Sequence, residues 1–394
     1  MNFELSDEQR LLREAARMAL SRIDSIAAAR AARDGAPLPD LWPTAIDAGW
    51  TGLLVDEEHG GAGLDVFDAM LVLEECGRRL NGAGLIGHLV ATRVLARAAG
   101  RGDDQAGAVL PALAAGDQRA AIVLARPPDA DAVPWTLDAD SGGNHRAPVP
   151  VARIDAARGG LLVTGTAGYQ LDASGANLLV IPALVDDDHL RPVLVVGPED
   201  PGLTVEPTPR GDASRPIARV SLDGVAARPL AAGVDDLAEA WDVAQALLAA
   251  DALGVSEAML EMSVAYAKDR YAFGRPIGSY QAVKHQLVEI LRHVETTRSL
   301  CYYAGYAAGA RHEELALASA CARFAAERAS TYATRTCIAV HGGVGATWEH
   351  DAPLHWRRAQ LSRLLAGGVT GAGDRVATQI IRLARAQRDV ASTD

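Results

Sequence analysis

Two segments in the last third of the chain join backbone-exposing glycines to groups able to hold a phosphate or an amide. The first, RYAFGRPIGSYQAVKH, runs from Arg270 to His285 and gathers Arg270, Arg275, Gln281, Lys284 and His285. A guanidinium grips a pyrophosphate with two parallel hydrogen bonds, and a helix N-terminus offers free N–H groups to the same anion. The second, HGGVGATWEH, runs from His341 to His350. Its Gly342, Gly343 and Gly345 let a ligand approach the main chain and expose successive N–H donors. Both segments also read as helix–helix connections. Gly274 can cap a helix ending near Tyr271, Pro276 stops it, and Gly278 and Ser279 open the next. That reading leaves the density of donors in the first segment unexplained. His341 has no HxxxH or His/Asp/Glu cluster around it, so no metal is expected. Glu349 beside Arg357 and Arg358 reads as an ion-pair network bracing the loop.

The elements that must position these segments fall into three blocks. Residues 1–119 read as an N-terminal α-helical domain. Ser6 and Gln9 fit a capping box ahead of Leu11, Leu12, Ala15, Ala16 and Leu20, and a second apolar helix covers Val66 to Leu80. Gly60, Gly61 and Gly63 lack a preceding strand and the GxGxxG spacing, which favours a tight turn between helices over a phosphate loop. Residues 120–230 change character. AIVLA, LLVTGTAGYQL, NLLVIPAL, PVLVVGP and IARVSL are short β-type runs, predicting a middle antiparallel β-barrel or sandwich domain, with Asp138 to Pro150 as a surface loop. Residues 231–394 return to helical period. Helices are expected over Leu237–Asp269, Gln281–Ala310, Leu315–Val340 and Ala372–Arg388, a C-terminal four-helix bundle. The class is α+β with segregated layers.

With 394 residues, 49% of them hydrophobic, the chain can build several packed layers. A formal charge of −12 argues against a nucleic-acid partner, which needs basic surface, but leaves room for a nucleotide cofactor held by a few local cations. Cys76, Cys301, Cys321 and Cys337 form no CxxC pair, as expected of reduced thiols in a cytoplasmic protein, and Cys321 and Cys337 read as small core residues. The charged start MNFELSDEQRLLRE is not a signal peptide, and no membrane span is expected.

The two glycine-bearing segments, in this order, resemble the FAD-binding signature of the acyl-CoA dehydrogenase family. The opening ELSDEQRLLRE, the loop DEEHGGAGL and the helical–β–helical layout extend the resemblance along essentially the whole chain. It implies an FAD flavoprotein oxidoreductase that removes two hydrogens from an acyl-CoA substrate, an α-proton to a carboxylate and a β-hydride to the flavin. The cofactor lies between the β domain and the bundle. Residues equivalent to Arg270, Phe273 and Gln281, with Gly342, Gly343 and Gly345, hold its ADP half, usually across a subunit boundary. A dimer or tetramer, homo- or hetero-oligomeric, is therefore implied. An electron-transfer flavoprotein is the expected electron acceptor, with oxygen left open.

The chain departs from the family where the chemistry is done. The α-proton is weakly acidic, so its base must be carefully placed. One family position for that base reads Ala366, and no Asp or Glu occurs between Asp351 and Asp374. The other known position reads Ala244, and the adjacent substrate arginine reads Gln245. Asp251 shares a helix face with Ala244 two turns on and is the best substitute in the chain, but a poor one, and its place favours a partly buried or interface carboxylate. The Thr-Glu-Pro segment that meets the flavin reads Ala125-Arg126-Pro127, and the Trp-Ile-Thr segment reads Tyr169-Gln170-Leu171. Tyr169 keeps a stacking role by this resemblance. Arg126 brings charge to a bound anion or points to solvent.

Some family enzymes are heterotetramers in which one subunit type lacks the base yet supports shared FAD sites. The leading expectation is such a base-lacking partner of a catalytic subunit, in lipid or steroid catabolism, acting on a bulky acyl-CoA. Two alternatives stay open: an active homomeric enzyme with an unconventional base, and a flavin-free scaffold.

Overall fold

The computed structural model describes residues 4–391, apart from 83, 129–132, 139, 141–144, 156–159, 186–188, 198 and 209–210. The N-terminal block holds α1 (Asp7–Ser21), α2 (Ser25–Arg33), α3 (Trp42–Asp47), α4 (Val66–Arg78), α5 (Leu85–Ala99) and α6 (Asp104–Ala115). The capping box of α1 forms as expected. The Gln9 N–H donates to Ser6 Oγ at 3.1 Å, and the Ser6 N–H donates back to Gln9 Oε1 at 3.0 Å. The turn at Gly60–Gly63 is tight: a Cβ at Gly61 would lie 2.0 Å from the Val55 carbonyl oxygen.

The middle block holds β1 (Ala120–Ile122), β2 (Trp135–Leu137), β3 (Arg146–Pro148), β4 (Val151–Asp155), β5 (Gly160–Leu171), β6 (Leu178–Val185), β7 (His189–Val196), β8 (Leu203–Pro207) and β9 (Ile217–Pro229). Its main sheet is mixed, which corrects the antiparallel barrel or sandwich expected from the sequence. β6 pairs in parallel with both β1 and β4, while β4–β5, β5–β9, β6–β7, β7–β9 and β8–β9 are antiparallel. The reason is topological. β5 folds back on β4 as a hairpin, so β6 returns beside β4 running in the same direction. Hydrophobic alternation reports which face is buried but not strand direction. The loop expected over Asp138 to Pro150 lies partly outside the described residues. Within it, Arg146–Pro148 form β3 and pair with β2 as an antiparallel hairpin, so that part is strand rather than loop.

The C-terminal block holds α7 (Val234–Asp269), α8 (Gln281–Ala310), α9 (His312–His341), α10 (Ala352–Ser362) and α11 (Gly368–Ala391). The bundle helices α7, α8, α9 and α11 match those expected, and α10 is an addition. α7 is long and apolar enough to cross a membrane, but most of that stretch is buried inside the protein. It is the central element, and α4 approaches it closely at two glycines. A Cβ at Gly254 would lie 1.9 Å from the Glu74 carbonyl oxygen, and one at Gly77 1.9 Å from that of Asp251. One continuous core joins the N-terminal helices to α7, while the sheet has a second core of its own.

Candidate active site and nucleotide-binding corner

The corner at the end of α7 is built by a small hairpin. β10 (Tyr271–Ala272) pairs with β11 (Arg275–Pro276), and the two residues between them, Phe273 and Gly274, both have positive φ, 52° and 79°. This is the geometry of a tight two-residue hairpin turn rather than the left-handed helix cap expected at Gly274. Phenylalanine is strained there, and its side chain is 96% exposed. The hairpin is fastened to the start of α8. Tyr280 donates its hydroxyl to the Ala272 carbonyl at 3.0 Å, and the Arg275 guanidinium stacks over the Tyr280 ring at 4.2 Å. Arg275 is thus occupied. Arg270 and Gln281 are exposed and make no side-chain hydrogen bond or ion pair among the described residues.

The triple-glycine segment reaches the same end of the bundle. The His341 ring, closing α9, stacks on Tyr266 at 4.1 Å, one turn before Arg270. Gly342 has φ 66°, and a Cβ at Gly342 or Gly343 would meet nothing within 4 Å. Their backbones are open to a ligand. Gly345 differs: it is buried, and a Cβ would lie 2.6 Å from that of His341, so close packing requires glycine there. The expected brace between Glu349 and Arg357 or Arg358 is corrected. Arg30 on α2 pairs with Asp351 and donates to the Trp348 carbonyl, and Arg33 and Arg357 both stack on the Trp348 ring. Arg358 is buried elsewhere, because it faces a carboxylate in the core.

That carboxylate is Asp251. Its oxygens accept from Arg215 at 2.6 Å and Arg358 at 3.3 Å, and all three side chains are almost fully enclosed. Asp251 is therefore a structural ion-pair centre and not a substitute base. Asp242, at the other side of the gap, pairs with Arg375 at 2.7 Å; burial pushes its carboxyl up to about 6, against the pull of Arg375.

The structure ties the turn that carries Ala366 to α7, the helix that carries Ala244. Ala366 sits in a 3-10 turn, Leu365–Gly367, with left-handed φ 49° and ψ 42°, and is 4% exposed. Gln245, beside Ala244 on α7, donates its side-chain N–H to the Ala366 carbonyl at 3.2 Å. Arg323, buried and paired with Glu327, fixes the approach to the turn by donating to Ser362 and Leu365 carbonyls at 2.7 and 3.1 Å. A cavity of about 580 Å³ reaches Gly367; Trp135, Leu137, His145 and Arg146 line it from the β domain, and Gln360, Arg363, Leu364, Gly367, Val369, Thr370 and Gly371 from the bundle. None of these lining residues is a carboxylate.

On the β-domain side, Ala125 and Leu171 are buried, as is Arg126, which therefore does not point to solvent. Tyr169 has φ 55° at an irregularity of β5 and packs against the main core; burial, and then the nearby Asp138, push its phenol up. Gln170 is a buried hub, accepting from the Leu124 N–H at 2.6 Å and donating to the Gly168 carbonyl at 2.7 Å. Residue pattern alone did not point to Trp135, to Gln245 as a turn-holder, or to the Arg323–Glu327 pair. The only sequence signals were two charges inside an apolar helix and a tryptophan in a proline- and aspartate-rich stretch.

This three-block architecture, with a cleft between sheet and bundle, is that of a flavin-dependent dehydrogenase. Residues 6–117 match the acyl-CoA dehydrogenase N-terminal domain, and residues 231–380 the acyl-CoA dehydrogenase C-terminal domain. Acyl-CoA dehydrogenase IpdE2 of Mycolicibacterium smegmatis is 30% identical over 370 residues, covering 92% of this chain and 96% of its own length. A solved Tcur3481-Tcur3483 steroid ACAD variant is 28% identical, with a TM-score of 0.82 over 96% of this chain and 99% of its own. The ChsE4-ChsE5 complex of Mycobacterium tuberculosis, at 23% identity and a TM-score of 0.83 over 97% and 99%, shares the fold. The chain belongs to the acyl-CoA dehydrogenase family.

Members of this family are FAD-dependent. The donors at the bundle end suit the diphosphate half of that cofactor: Arg270 and Gln281 are unspent, and the Gly342–Gly343 backbone is open. Gly345, by its packing, is not part of this exposed set.

Proposed function

We propose that this chain is a base-lacking partner subunit of a heteromeric acyl-CoA dehydrogenase acting on a bulky acyl-CoA, such as a steroid side-chain thioester. The carrying observation is that neither family base position offers an acid: the turn of Ala366 is tied to α7 through Gln245, the chain neighbour of Ala244, and the flanking acids Asp242 and Asp251 are held by arginines. FAD, when bound, supplies the hydride acceptor. This chain's contribution is to grip the cofactor's diphosphate with Arg270, Gln281 and the N–H groups of Gly342 and Gly343, at an exposed corner suited to serving a neighbouring subunit. The Tcur3481-Tcur3483 protein, a steroid ACAD with two named components, supports both the substrate class and the heteromeric reading. Exposed Val288, Leu291, Ile380, Ile381 and Leu383 on α8 and α11 provide apolar faces for a partner subunit. We further propose an electron-transfer flavoprotein as acceptor and a cytoplasmic location, in keeping with four unpaired cysteines.

The test is the flavin content of the assembly purified from its native host. Arg270→Ala is expected to lower bound FAD at least ~10-fold, since a charge-assisted bidentate contact is worth about 1.5–3 kcal/mol. An unchanged flavin content would contradict the assignment of the corner.

A further inference from the structure

Trp135 stands where the β domain meets the turn that carries Ala366. Its backbone exchanges two hydrogen bonds with Arg126, N–H to O at 2.8 and 3.2 Å, which pins β2 against the segment Ala125–Pro127. Its indole points the other way, into the bundle. A Cβ built on Gly367 would lie 2.6 Å from Trp135 Cη2, so the ring tip rests on the Gly367 backbone. Gly367 has φ 78°, and only a residue without a side chain leaves room for that contact. The indole is 7% exposed. Trp241 of α7 packs against it edge-on at 5.8 Å, and the Arg146 guanidinium stacks on it at 4.6 Å.

The consequence lies in what the neighbouring cavity reaches. Its walls include Trp135 and Gly367 but not Ala366 or Ala244. The indole tip and Gly367, in contact with each other, both form its wall. Ala366, next to Gly367 in the chain, is 4% exposed, and its carbonyl is spent on Gln245.

We propose that Trp135 is a plug that seals position 366 from the cavity, so that this chain excludes an acyl thioester from its own cleft as well as lacking the base. The inference rests on the assignment of Ala366 as the family base position, and it deepens the partner-subunit reading: the acyl chain is left to the neighbouring subunit. Loss of the acid and closure of the pocket are separate changes. Restoring one alone does not restore the site.

The experiment reads accessibility first, independently of turnover. Ala366→Cys is introduced into the assembly as purified, and its alkylation by iodoacetamide is followed by mass spectrometry against a cysteine placed at Gly371, which lines the cavity and where an added Cβ meets nothing within 4 Å. With Trp135 present, labelling at 366 is expected to be at least ~10-fold slower than at 371, because a sealed thiol reacts only through local opening. Trp135→Ala should bring the two rates together. Trp135→Leu, which keeps an apolar filler of shorter reach, gives an intermediate rate, and Trp135→Phe stays near the parent. Calorimetry with a butyryl- to palmitoyl-CoA series should show one additional acyl-CoA bound per chain in Trp135→Ala and none in Ala366→Glu. Equal labelling at 366 and 371 with Trp135 in place would overturn the plug, and so would an unchanged rate in both Trp135→Ala and Trp135→Leu. Neither result bears on the missing base, which fails only if the isolated chain turns over substrate.

Discussion

Asp251 shows how one residue is read differently from spacing and from contacts. Helical periodicity puts it on the face of Ala244, within plausible reach of a substrate. Its enclosure between Arg215 and Arg358 removes it from that role. Breaking a buried pair by removing one partner strands the other charge, so Asp251→Asn is expected to cost about 3–5 kcal/mol in chemical denaturation. The folded fraction should keep its flavin, since the corner at Arg270 lies elsewhere. His88 carries a second residue-level prediction. It is buried and neutral, with Nε2 3.0 Å from the Thr51 carbonyl and Nδ1 accepting from the Ala120 N–H at 3.1 Å, and burial pushes it down from 6.5 to about 4. The unfolded chain takes up this proton first, so the contribution is present above pH 6.5 and is lost as pH falls toward 4. It amounts to about 3 kcal/mol at most, and urea midpoints at pH 7 and pH 5 would measure part of it. The absence of an acid at Ala366 and Ala244 was legible by counting. Trp135 was not, because nothing in residue type says which side of a cleft a tryptophan at the start of a short strand fills.

At the scale of elements, the long helices were readable because α7, α8 and α9 carry sustained apolar periodicity. α10 was not. Its anchor is Arg358, a buried cation that a hydrophobicity pattern counts as surface, and its remaining residues mix Pro353, His355, Trp356 and Arg357 without a clear face. The hairpin at Phe273–Gly274 was mistaken for a helix cap because both structures ask for glycine at a positive φ. The α4–α7 crossing yields a prediction with contrasting signs. Gly254→Ala forces a Cβ onto the Glu74 carbonyl at 1.9 Å and should destabilise by at least ~1–3 kcal/mol through overpacking. Gly371→Ala on α11 meets open space and should stabilise by about 0.5–1 kcal/mol through helix propensity. Thermal melts of the two variants would show opposite shifts.

Across the whole molecule, the layers are joined by buried charge as well as by apolar surface. Arg298 of α8 pairs with Glu74 and Glu257, and Arg78 of α4 pairs with Glu75, Glu257 and Glu261. Burial, then the neighbouring Glu257, push the Glu74 carboxyl from 4.5 up to about 8. The native state therefore holds a proton that the unfolded chain releases near 4.5. This group's effect opposes that of His88: it weakens the fold as pH rises from 4.5 to 8. Glu74→Gln keeps the shape and removes the titration, so its stability relative to the parent should improve between pH 5 and pH 8. Such a network was invisible in the sequence, because partners from α4, α7 and α8 meet only in three dimensions. The three-block order was legible from where helical period gives way to short β-type runs and then returns.

The central claim is that this chain holds the cofactor's diphosphate yet presents no acid where a thioester would lose its α-proton. Acyl-CoA:acceptor turnover by the isolated chain, supplied with FAD and a series running from butyryl-CoA to steroid side-chain thioesters, tests it most directly. No turnover above the protein-free rate is predicted for any substrate. Turnover that tracks the purified chain would contradict it, whether or not it survives in Asp251→Asn, since a base would then have to come from this polypeptide after all.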